Sequence, residues 1–198
     1  MKLKLVKTAV IVFCFAIGLG AAARASGVSI GYFDTIMNDP AIEAGQTYYL
    51  RHNLMFEKST WEATNYWRGT LLPINTKVTV TAIDYHTVSF KWDGGKLMVV
   101  NSEHTMRRME TIAKHLLSPN PVPIEKFGEH MAQRIASGTL TKGMTREQVI
   151  MTRGWPPGHK TPDITSDNGR WMYWSSRFGY VTLVITDGLL KEGRSVKD

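Results

Sequence analysis

Six histidines, a single cysteine and a heavy load of tryptophan are the side chains in this chain that could carry chemistry. His52, His86, His104, His115, His130 and His159 are scattered, and no two share the i,i+4 spacing that would set paired imidazoles beside a carboxylate base on one helix face. They read as solvated polar residues. A serine nucleophile would need a histidine partner and a strained Gly-x-Ser-x-Gly elbow between a strand and a helix; the one match to those letters, Gly27-Val28-Ser29-Ile30-Gly31, falls in the irregular lead-in with no expected strand before it. Cys14 sits within an apolar N-terminal run. Once that run is removed no thiolate is left for covalent catalysis, a disulfide or a metal. Gly143-Met144-Thr145 lacks the lysine of a phosphate-binding loop, and Asp163 and Asp167 lie in a polar loop where nothing would desolvate them. Loss of the cysteine excludes the cysteine-based chemistries, and these residues complete no other usual catalytic constellation, so the expectation is a non-enzyme without cofactor or metal.

Binding is the chemistry that remains. Trp61, Trp67, Trp155, Trp171 and Trp174 are many large rings for a chain of 198 residues. Two stretches are candidates. In Arg170-Trp171-Met172-Tyr173-Trp174 large groups alternate on both faces of an expected strand, so one face packs on helices and the other is free to meet a partner unless something covers it. Trp171 and Trp174 are the candidate contacts there. In Asn65-Tyr66-Trp67-Arg68-Gly69 the pairing of Tyr66 and Trp67 with Arg68 has the composition of an interface hot spot at the end of a long loop. The alternative is a loop tucked down by its own aromatics.

The element that must position the first candidate runs from Gly143 to Gly188. Thr145 is placed to cap a helix, with Gln148 three residues on completing a capping box. Gly154 and Pro156-Pro157 end that helix. A polar loop leads to two strands, Arg170 to Trp174 and Tyr180 to Ile185, and Asp187-Gly188 marks a tight turn into a last strand from Leu189. Gly143-Met144-Thr145 with Gln148-Val149, then Gly154-Trp155-Pro156, Trp171, Tyr173 and a valine-containing strand into Asp187-Gly188, resembles the BamE (SmpA/OmlA) family over residues 124–193. That resemblance implies an ααβββ unit and a setting in outer-membrane β-barrel assembly, where the family serves as a scaffold accessory.

The rest of the chain is read from its front. Lys2, Lys4 and Lys7 precede an apolar run from Thr8 to Ala23, and Ala23-Arg24-Ala25 fits a cleavage site before Ser26. Residues 1–25 are expected to be a secretory signal peptide, with an uncleaved anchor as the alternative. The BamE family is usually lipidated on a cysteine at the end of such a run. Cys14 lies in mid-run instead, which departs from that pattern and implies a chain peripheral to the membrane at most. Loss of the leader removes Lys2, Lys4, Lys7 and Arg24 but no acidic residue, so the net charge falls from +7 to +3 and does not indicate a nucleic-acid partner.

Residues 26–45 read as an irregular lead-in, ordered if at all against the module that follows. From 46 to 103 the pattern is β: Val78 and Val80 alternate with threonines, Val88-Ser89-Phe90-Lys91-Trp92 alternates likewise, and Asp93-Gly94-Gly95 turns the chain into Lys96 to Val100. One strand, a long loop and a tight meander resemble an SH3-like barrel. A connecting helix over 104–117 carries Met106, Met109, Ala113 and Leu116 on one face. The proline-rich stretch 118–123 is the domain boundary, and Ile124, Phe127, Met131 and Ile135 open the helical pair of the last unit. The expected fold class is α+β. The expected function is a non-catalytic, exported, periplasmic envelope protein that contacts other envelope proteins. Inhibition of an envelope enzyme, or peptidoglycan binding through the SH3-like module, are the alternatives.

Overall fold

The computed structural model describes residues 30–63, 67–176 and 178–198. The expected leader 1–25, with Cys14 inside it, and Tyr66 lie outside the described residues. Eleven strands, three α-helices and short 3-10 turns form a mixed α+β fold among them, and none of these helices is long and apolar enough to cross a membrane.

Alternation builds the first sheet. In β5 (Lys77–Ile83), β6 (Thr87–Trp92) and β7 (Gly95–Val100) the buried side chains Val78, Val80, Val88, Phe90, Leu97 and Val99 recur at every second position. The three form an antiparallel meander, and β1 (Thr47–Leu50) pairs antiparallel with β5. Two short strands extend the edges: β3 (Thr60–Glu62) lies parallel to β7, and β8 (Leu117–Ser118) lies antiparallel to β1. The order β3-β7-β6-β5-β1-β8 is that of an open sheet, and no closed barrel forms among the described residues. The expected barrel closure therefore needs correction. The long excursion after β1 supplies β3 to one edge, which protects that edge by addition instead of by curling the sheet onto itself. The same excursion contributes β2 (Leu54–Phe56) and β4 (Thr70–Leu72), a separate antiparallel ribbon.

α1 (Met109–Leu116) covers this sheet with Met109, Ile112, Ala113 and Leu116. It begins later than the apolar spacing predicts. Met106 takes a left-handed φ of 58° and is exposed, and the Thr105 hydroxyl donates to Asn101 and to the Ser102 carbonyl, so the chain turns before it can coil. The second expected helix is likewise divided: residues Ile124–Phe127 form a 3-10 turn, Gly128 breaks it with a φ of 84°, and α2 (Glu129–Ala136) follows.

In α3 (Arg146–Arg153) both arms of the capping box are present: the Gln148 amide donates to Thr145 Oγ1 at 3.3 Å and the Thr145 amide to Gln148 Oε1 at 2.9 Å. Strands β9 (Gly169–Trp174), β10 (Tyr180–Thr186) and β11 (Leu189–Gly193) make an antiparallel sheet. Asp187 and Gly188, both at positive φ (53° and 72°), form its last turn as a type I′ hairpin requires. Trp171, Tyr173, Val181, Leu183 and Ile185 face α3 in a second core.

The lead-in lies against both cores: the Gly45 amide donates to the Val80 carbonyl at 2.8 Å and the Lys114 ammonium to the Met37 carbonyl at 3.2 Å on the side of the first sheet. Ile30, Phe33 and Ile36 are buried in the second core, and only Ile42 joins the first. The Tyr32 amide donates to Glu147 Oε1 at 3.0 Å, and that carboxylate sits so close to Gly31 (φ 66°) that a Cβ there would fall 2.4 Å from its Oε2. Residues 118–123 are not a free tether either. Val122 is buried, and its amide and carbonyl are both held by the Asn75 side chain at 2.7 and 2.9 Å.

A corner of three buried polar residues, Arg51-His52-Asn53, joins the two cores. The Asn53 amide donates to the Met151 carbonyl at 3.0 Å, its side-chain Nδ2 to the carbonyls of Thr152 (3.1 Å) and Ile135, and its Oδ1 accepts from the Ile74 amide at 2.7 Å. Arg51 donates from Nε to the Leu117 carbonyl at 2.7 Å, and its other nitrogens reach the Tyr32 hydroxyl and the Asp39 carboxylate. Replacing Asn53 by alanine orphans two buried groups, the Thr152 carbonyl and the Ile74 amide, and urea unfolding should register a loss of about 3 kcal/mol. A loss under about 1 kcal/mol would show that the corner does not brace the two cores.

Candidate interaction surface

The structure separates the sequence candidates into glue and surface. Trp171 is 1% exposed, inside the second core, and is no contact residue. The reason is register: odd positions of β9 and β10 face α3, while Met172, Trp174, Tyr180 and Thr182 take the opposite face. Trp67 is also structural. Its ring stacks on Tyr173 at 5.3 Å, the Arg153 guanidinium lies 4.4 Å from its centroid, and its amide donates to the Trp174 carbonyl at 2.8 Å. It bolts the first excursion to the edge of β9. Arg68 is exposed and paired with Glu57 at 2.7 Å. Of the expected hot spot, Trp67 is thus packed down and Arg68 holds a surface ion pair, while Tyr66 lies outside the described residues.

Trp174 is the candidate that keeps a half-exposed ring. Directly across the ladder from it stands Tyr180, 59% exposed, and the turn between their strands carries Phe178, 88% exposed. Cross-strand partners in an antiparallel pair bring side chains of one face together, so Trp174 and Tyr180 form one aromatic patch. His159 flanks it, its ring 6.1 Å from Trp174, and stacks in turn near His104 at 4.6 Å. Tyr180 and Phe178 carried no motif. Their signal in the sequence was that they bracket Gly179 at a hairpin tip, where aromatic side chains have little to pack on.

Beneath the surface lies a seam that sequence reasoning missed. His115 stacks on Trp155 at 3.9 Å and 11°, Arg107 lies 5.4 Å from the same ring, and His52, Trp61 and Thr105 complete a pocket of about 30 Å³. That is room for roughly one water. The indole Nε1 groups of Trp61 and Trp155 have no protein partner. Burial lowers the pKa of His52 to about 4, and burial with the nearby arginine charges takes His115 to about 3. Both imidazoles are neutral at physiological pH. In that form His52 Nδ1 donates to the Asn53 carbonyl at 2.7 Å. Burial likewise holds the Tyr173 hydroxyl in its protonated form, and it donates to the Gly154 carbonyl at 3.0 Å. Among the described residues no three His, Cys, Asp or Glu side chains gather as metal ligands would.

A larger groove of about 550 Å³ opens between the β5–β6 turn and the start of α1. Tyr85, 81% exposed, lines it together with His86, Arg107 and Arg108.

No protein-family model matches the chain, and no curated protein and no solved structure matches it. The geometry has to carry the functional reading.

Two expectations follow. Trp67→Ala should cost about 3 kcal/mol in chemical denaturation because a stacked, inter-core ring is lost, whereas Arg68→Ala should stay within about 0.5 kcal/mol. Equal effects would contradict the assignment of Trp67 as glue. Stability should also depend on acid. The unfolded chain protonates His52 and His115 below about pH 6.5, but the folded chain does not until about 4 and about 3. Stability should therefore be level above about pH 7 and fall as pH drops from about 6.5 toward 4, each histidine contributing up to about 1.4 kcal/mol per pH unit. Urea titrations across that range test it: His115→Phe should roughly halve the slope, and an unchanged slope would count against His115.

Proposed function

We propose that the chain is an exported, non-catalytic protein of the cell envelope that works by protein–protein contact through the Trp174–Tyr180–Phe178 patch, in outer-membrane assembly or envelope maintenance. The observation that carries the reading is the exposure of Tyr180 and Phe178 beside the half-exposed Trp174 around one hairpin end. Exposed aromatic clusters mark partner surfaces, because Trp and Tyr supply large contact area with few torsions to freeze. Further support comes from the order α2, α3, β9, β10, β11 with its capped helix, the arrangement a BamE-like unit would have, and from the leader-like composition of residues 1–25. On this reading residues 46–103 are an SH3-like module in which edge strands replace closure. Inhibition of an envelope enzyme would use the same aromatic face and is the second reading.

Two measurements test the proposal. The N-terminal residue of the protein recovered from the periplasmic fraction should be Ser26, and recovery only from the cytoplasm would overturn export. A photo-crosslinking side chain placed at Tyr180 in the native host should give a discrete adduct with one envelope protein. The Trp174→Ala, Phe178→Ala double variant, with its melting temperature unchanged, should lose that partner in co-purification. Retention of the partner would remove the patch from the reading, and an adduct with a cell-wall hydrolase or β-lactamase whose turnover slows on titration would select the inhibitor reading.

A further inference from the structure

The groove beside α1 has no part in that reading. Its apolar lining comes from Ile42, Ile83, Met109 and Ala113, with the Tyr85 ring alongside and the His86 ring 4.0 Å from it. Two arginines line it as well, and neither has a carboxylate partner among the described residues. Among the described residues the Arg107 guanidinium donates to the Thr105 carbonyl at 3.4 Å and lies over Trp155, and the Arg108 guanidinium makes no hydrogen bond or ion pair. The two acids of the groove are already engaged. Asp84 accepts from the amides of His86 and Thr87 at 2.7 Å and from the Thr87 hydroxyl at 3.0 Å, and Glu110 lies 3.8 Å from Lys114. An incoming anion thus meets two guanidinium groups without a carboxylate partner among the described residues, beside an apolar floor. Arg107 is moreover partly desolvated, and burial holds its pKa below the ordinary arginine value, so a counter-ion there offsets a cost the fold already carries.

We propose that this groove binds the C-terminal end of a polypeptide, with its free carboxylate on Arg107 and Arg108 and its last apolar side chain on the floor beside Tyr85. A volume of about 550 Å³ falls within the roughly 300–1,000 Å³ of sites that hold small ligands. The lining also decides between carboxylates of different origin. An acyl chain laid along the groove would strip water from Asp84 and Glu110 without replacing their hydrogen bonds, whereas the amides of a peptide can donate to them. Capture of a terminal carboxylate by cationic and backbone donors is an established mode of peptide recognition.

Fluorescein-labelled pentapeptides ending in Phe, Leu or Val, with a free C-terminal carboxylate, would be titrated by polarisation into the full chain purified without its leader. At least one should bind. Its C-terminal amide should bind at least about tenfold more weakly, as should the free acid to Arg108→Ala, since a charge-assisted contact is lost in each case. Tyr85→Ala should weaken binding several-fold. Both substituted side chains are exposed, so melting temperatures should not change. Equal binding of acid and amide, unchanged binding to Arg108→Ala, or no binding of any peptide at about 1 mM would overturn the proposal. Displacement of the peptide by dodecanoate at matching concentration would assign the groove to acyl chains and overturn the peptide assignment. The groove and the Trp174–Tyr180 patch share no residue, so failure here leaves the protein-contact reading to its own test.

Discussion

Asn53 spends every hydrogen-bonding group of its side chain on backbone that belongs elsewhere. Its amide group satisfies carbonyls at the ends of α2 and α3, and its oxygen takes the amide just past β4. A residue in this position cannot be replaced by an apolar one of similar size without stranding buried carbonyls, so the polar corner orients one core relative to the other more sharply than apolar contact could. Arg51, one turn of the chain earlier, performs the same task for the lead-in and β8. The sheet modules therefore read as two cores around a shared polar hinge, not as beads on a proline tether. Residues 118–123 pass through that joint with Ser118 in β8 and Val122 in the second core.

The same joint sorts the aromatic residues. Rings that lie between the cores, Trp67 on Tyr173 and Trp155 on His115, are consumed as structure. The second of these stacks lines the pocket in which burial keeps His52 and His115 neutral. What is left for a partner is the outward face of β9 and β10, beyond the reach of the joint. A strand that alternates large residues must leave one set outside unless a third layer covers it, and here the flanking loop with Thr161 and His159 approaches from among the described residues.

Local patterns were legible from the residues alone wherever a single element decides the outcome. Thr145 with Gln148 specified a helix start because both bonds of a capping box are made within four residues. Asp187-Gly188 specified a hairpin turn because only such residues tolerate two successive positive φ angles. The alternation of Val78, Val80, Val88 and Phe90 specified a half-buried sheet. Helix beginnings were less secure: Met106 continues the apolar spacing of α1, yet side-chain bonds from Thr105 turn the backbone there instead.

Everything that depends on distant partners was settled by tertiary structure. No spacing rule distinguishes Trp171, sealed against α3, from Trp174 three residues later on the other face, until the register of β9 is known. His52 and His115 are 63 positions apart in number and share one pocket because the corner after β1 is tied to the end of α1, where the Arg51 amide donates to the Leu116 carbonyl at 2.8 Å. The lead-in could be read as irregular, but that Ile30, Phe33 and Ile36 help fill the second core follows from where apolar room was left. Sequence determines how each short segment prefers to bend and which side of it is greasy, since those are local energies. Which greasy side meets which, and so which rings remain in water, is a property of the whole packed chain.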